Sequence, residues 1–252
     1  MTKISVLVTI VIAAALVFGV PVPSNAATDY ERVLARWSKS EENTDDMGGR
    51  FIVKATLYTA EYVNALVKSE AEKNLWTASE MEDYKYNLLK ELELDERIAM
   101  HLELNELGPT AHMAPFNEML YIWIGKKKYS PEKYDERFNL PLQGKRDGMV
   151  YFPRHDEKTG EPLLKKDASI RLIMSSAISP VLGHKEVRMT WDVKAEEGSV
   201  FSGTAADRLE IDRLLRRIEK LASERADLEK QLEAKKSEID TINARIEELQ
   251  KN

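Results

Sequence analysis

The chain has 252 residues, a formal net charge of −6 and no cysteine. That excludes disulfides, thiolate metal sites, cysteine nucleophiles and a lipid anchor on an N-terminal cysteine. It also disfavours nucleic acid as a partner, because phosphate-backbone binding needs clustered Lys and Arg, and the only basic clusters are Lys126-Lys127-Lys128 and Arg216-Arg217.

Residues 1–26 read as a secretory signal. Lys3 gives a positive start, Ile4 to Val20 is apolar, and Gly19, Pro21 and Pro23 break the run. Ser24-Asn25-Ala26 places small residues where a signal peptidase reads, with cleavage before Ala27. The alternative is an uncleaved anchor, but the apolar run is marginal against the roughly 20 residues of a bilayer span. The expectation is therefore an exported protein, periplasmic or secreted, with no stable membrane span after cleavage. Without the signal the charge is about −7, and about 175 residues remain for one compact domain.

Residues 27–49 are expected to form a helix and an acidic loop. Tyr30, Val33, Leu34 and Trp37 keep helical spacing after a cap at Thr28 or Asp29, and 40–49 is polar and ends in Gly48-Gly49. A β-rich domain is expected over 50–195. Phe51 to Tyr58 reads as a strand. A helical insert at about 60–92 follows, first with Tyr62, Val63, Leu66 and Val67 on one face. Its second helix opens at the capping box Thr77-Ala78-Ser79-Glu80.

Beyond Asp95 apolar and polar residues alternate. Ile98, Met100, Leu102 and Leu104 share one parity, with His101 and Glu103 on a face expected to be solvated. Met119 to Ile124 is the next strand, with Lys126-Lys127-Lys128 as its turn, then Met149 to Phe152. Asp156 to Gly160 reads as a loop. Ser169 to Ser175 and Glu186 to Val193 complete the strands. The expected fold is α+β: an antiparallel β-sandwich, Ig-like in architecture, with a helical insertion and a long C-terminal coiled-coil helix. Residues 196–206 read as a linker.

From 207 to 252 the apolar residues fall on one heptad seam. Position a holds Ile211, Ile218, Leu232, Ile239 and Ile246, and d holds Leu214, Leu221, Leu228, Ile242 and Leu249; Arg225 and Lys235 interrupt it. Mostly Ile at a with Leu at d favours a parallel dimer, with a trimer and an antiparallel or intramolecular pairing as the alternatives. Glu224 would then face Glu229 of the partner helix, which is repulsive. The expected partner is a second copy of the chain, or another coiled-coil protein.

Motifs of chemistry are sparse. His101, His112, His155 and His184 lack paired metal-ligand spacing, although His101 and Glu103 share a strand face. There is no GxSxG, P-loop, GxGxxG or calcium loop. No cofactor, metal or catalytic residue is expected. Two stretches at predicted strand ends are candidate ligand sites: His112 to Phe116, and Tyr151 to Asp156 with Arg154 and His155. The alternative is that Phe116 closes the core and Arg154 pairs with Asp156. The functional expectation is a non-enzymatic binding or structural module of a bacterial envelope, oligomerised by its C-terminal helix. A coiled-coil adaptor is the alternative, and an envelope-acting hydrolase without a recognisable motif a third.

Overall fold

A computed structural model describes residues 28–157, 159–164, 169–193 and 203–250. The signal reading of 1–26 and most of the linker reading, 196–202, lie outside the described residues.

Helix α1 (Asp29–Trp37) starts at a reciprocal Thr28–Glu31 capping box, so Thr28 is the cap. Strands β1 (Ser38–Thr44) and β2 (Arg50–Leu57) form a hairpin. Helix α2 (Ala60–Asn74) is capped by the Thr59 hydroxyl and ends at Leu75 in the left-handed region, φ 55°. Helix α3 (Ala78–Glu91) opens at the expected Thr77–Glu80 box. Then come β3 (Arg97–Ala111), a four-residue helix α4 (Phe116–Met119), β4 (Leu120–Ile124), β5 (Lys127–Tyr129) and β6 (Lys133–Tyr134). A 3-10 turn (Glu136–Asn139) leads into β7 (Leu142–Pro153), followed by β8 (Ser169–Met174), β9 (Val187–Asp192) and helix α5 (Thr204–Gln250).

The strands make two antiparallel sheets packed together. One has the order β1-β2-β3-β7-β6, the other β5-β4-β8-β9. Alternation along each strand fills the space between them: Phe51, Met100, Leu102 and Phe152 from the first sheet meet Leu120, Ile122, Leu172 and Trp191 from the second. All are at most 1% exposed, and each contributes about 1.5–3 kcal/mol of burial. The Trp191 indole N–H donates to the Trp37 carbonyl at 2.9 Å, tying the second sheet to the end of α1.

Both faces of the first sheet are used. On its outer face α2, α3 and the base of α5 enclose a second apolar cluster: Val63, Val67, Leu88, Leu89, Leu94, Ala99, Tyr151, Ala206 and Leu209. This corrects the expectation of a solvated face opposite the apolar parity of β3. Ala99 is fully buried and His101 only 7% exposed. The helical insert needs that face to bury its own apolar stripes.

Two loop expectations are also corrected. Residues 38–44 are a strand, not part of an acidic loop. As a sheet edge β1 has polar residues on both faces and shows no alternation; backbone pairing with β2, the Ser38–Thr56 hydroxyl contact and the Glu42–Arg50 ion pair hold it. The turn itself is Asp45–Gly49, where Gly48 takes φ 84° and the Asp45 carboxylate accepts two backbone N–H groups. Likewise only Gly125 and Lys126 make the next hairpin turn. Lys127 and Lys128 belong to β5, and the Lys128 ammonium lies 3.7 Å from the Tyr121 ring centroid.

Candidate functional site

Helix α5 has two faces with different fates. Ala206 and Leu209 are buried in the α2–α3 cluster and Ala205 is buried as well, so the helix starts docked, inside the stretch expected to be linker. Polar contacts extend this face. The Tyr86 hydroxyl donates to Asp212 at 3.0 Å, and Arg208 lies over the Tyr86 ring at 4.3 Å. Arg216 reaches Asp95 at 2.8 Å and Glu96 at 3.0 Å.

The seam lies on the other face. At 100° per residue, Ile211, Leu214, Ile218 and Leu221 point about 160° away from the docked residues. All ten seam residues, from Ile211 to Leu249, are between 46% and 63% exposed. Every residue from Glu219 to Ile246 is exposed, so the helix projects from the body with an unpaired apolar stripe. Its 47 residues span about 70 Å. Among the described residues the seam does not lie on the body of its own chain.

Where α5 leaves the body, a cleft of about 260 Å³ opens between the helix and the loop after β7. Arg154 and His155 line it with Arg213, Arg216, Arg217 and Lys220. The loop is fixed by backbone bonds: Arg154 N–H to the Glu96 carbonyl at 3.2 Å, Leu163 N–H to the Arg154 carbonyl at 2.9 Å, and a bridge from His155 to Pro162. Burial, then the Arg213 and Arg154 guanidiniums, hold the His155 imidazole below its ordinary pKa. Arg213 in turn holds the Glu210 carboxyl low through a 2.5 Å bond.

The other sequence candidates are not drawn into this cleft. His112 is exposed on the crossing from β3 to α4. Phe116 is fully buried and stacks on Phe138 at 4.6 Å, so it serves the core. His101 lines a separate cleft of about 350 Å³ on the outer face of the first sheet. One ring nitrogen is 3.1 Å from Asp147 and the other 3.9 Å from Glu103. That orients an imidazole, but the lining holds no hydroxyl or thiol nucleophile other than tyrosine phenols. No group of three metal-ligating side chains occurs among the described residues.

No family model, curated protein or solved structure matches the chain.

Proposed function

We propose that this chain is an exported, non-enzymatic binding or structural module of a bacterial cell envelope, joined into parallel dimers through α5. The observation that carries the reading is the seam: ten half-exposed apolar side chains in heptad register, turned away from the face that docks on the body. Export rests on the signal pattern of residues 1–26, and the non-enzymatic reading on the lack of a recognised catalytic motif in the sequence.

Because docked face and seam are nearly opposite, a second helix can lie parallel without meeting the first body. In a fully overlapped antiparallel pair Glu224 would face Glu238, and Arg217 would face Arg245, of the other copy. The two-sheet body, read as a sandwich of immunoglobulin-like architecture, is then a rigid head, and pairing raises its apparent affinity for a repetitive target.

The test is the solution mass of residues 27–252 by light scattering, beside Leu221→Glu/Ile239→Glu. A dimer that becomes a folded monomer in the variant supports the reading. A monomeric parent chain overturns self-pairing. The adaptor reading then leads, in which α5 pairs with another protein's helix. It is favoured by Arg225 and Lys235, which place like charges opposite each other when the chain pairs with itself in parallel.

A further inference from the structure

The cleft at the root of α5 has a chemistry that the seam does not use. Arg213, Arg216, Arg217 and Lys220 follow i, i+3, i+4, i+7 spacing and share one helix face. Arg154 and His155 close the opposite wall. Four acids also line the cleft, but three are engaged: Glu96 by Arg216 at 3.0 Å, Glu132 by Arg97 at 3.3 Å, and Asp156 by Lys127 at 3.7 Å. Glu157 stands exposed at the rim.

Arg213 and Arg216 are committed to Glu210, Asp95 and Glu96. Arg217 and Lys220 are not committed in this way. Arg217 has no carboxylate within 4.0 Å among the described residues, although the loop half-covers it. The turn residue Gly160, at φ 72°, passes beside the Arg217 guanidinium: a Cβ built on it would lie 3.9 Å away, an ordinary contact. Among the described residues Lys220 meets only Glu224 of its own helix, at 3.9 Å. His155 lines the opposite wall with an imidazole that can donate an N–H.

We propose that this cleft binds a phosphoryl group, held by Arg217 and Lys220 from α5 and by the His155 side of the loop. Donors converge from two elements, which suits a tetrahedral oxyanion; a flat carboxylate is satisfied by one guanidinium fork. The phosphoryl group can be free phosphate or the headgroup of an anionic lipid. Lys220 lies away from the seam, whereas Arg217 flanks it at a g position; neither is a core a or d residue.

The experiment uses the chain 27–252 in three forms: parent, Arg217→Ala/Lys220→Ala, and the control Arg32→Ala/Lys39→Ala, which removes the same charge elsewhere. Calorimetry with inorganic phosphate reads the free ion, and co-sedimentation with phosphatidylcholine vesicles, with and without phosphatidylglycerol, reads the headgroup. Saturable binding in either arm that weakens at least about tenfold in the cleft variant only supports the proposal. No saturable binding in either arm, or equal loss in both variants, overturns it. Circular dichroism confirms that the variants keep their helix. Phosphate binding is expected to persist in Ile239→Glu/Ile242→Glu, whose seam changes lie about five helical turns from Lys220, which separates failure of the site from failure of the dimer.

Discussion

Two leucines on the same helix should respond differently to truncation. Leu209 is 4% exposed in the cluster with Leu88, Leu89 and Leu94, whereas Leu232 is 57% exposed on the seam. Leu209→Ala removes buried carbons and leaves a cavity in the cluster, at a cost of about 3 kcal/mol at any chain concentration. Leu232→Ala costs a single chain nothing in helix propensity, because alanine is the better helix former by a few tenths of a kcal/mol. In a pair it loses roughly half a leucine's burial on each copy, about 2 kcal/mol per dimer. The parent dimer gains about 1.4 kcal/mol for each tenfold rise in concentration. Urea unfolding followed by circular dichroism, at low and high chain concentration, reads both. A Leu209→Ala cost below about 0.5 kcal/mol would refute the docking of α5. A Leu232→Ala cost that is large and independent of concentration would show the seam covered within its own chain.

Gly148→Ala is expected to destabilise the body by about 1–3 kcal/mol, since a Cβ there would sit 2.8 Å from the Asp135 Cβ and 3.1 Å from the Phe138 ring; thermal unfolding reads it. His155 gives a pH signature. Its folded pKa lies below the unfolded value of about 6.5, so the unfolded chain takes up a proton the folded chain refuses. Its contribution is complete above about pH 6.5 and is lost as pH falls through the lowered folded pKa. His155→Gln should flatten that stretch of the stability curve, and in Arg213→Ala the imidazole resonance should titrate at higher pH; an unchanged titration would count against the cause given.

Much of the fold was legible because local chemistry and tertiary demand agree. The Thr77–Glu80 box starts α3 where it should, and Val187, Met189 and Trp191 alternate into the core from β9. Strand β1 was hidden because an edge strand paired on one side needs no apolar face. The first half of β7, around Gln143, Lys145 and Asp147, was hidden for a similar reason: pairing with β3 continues there while alternate side chains point to solvent. The buried outer face of β3 depends on helices elsewhere in the chain, which the local pattern of Ala99 and His101 does not record. At the cleft, Arg154 and His155 were visible as a candidate, but their partners lie about 60 residues on. The signal was available in Arg213, Arg216, Arg217 and Lys220, four cations spaced to share one face off the seam.

The absence of native cysteine allows a direct test of how α5 pairs. Leu249→Cys places a thiol at the last d position, where facing residues of a parallel dimer stand within disulfide reach. Ser223→Cys, on the face away from the seam, is the control. Under mild oxidation Leu249→Cys should give a covalent dimer on a non-reducing gel while Ser223→Cys stays single. If Leu249→Cys remains single, or both variants cross-link alike, the parallel seam is contradicted.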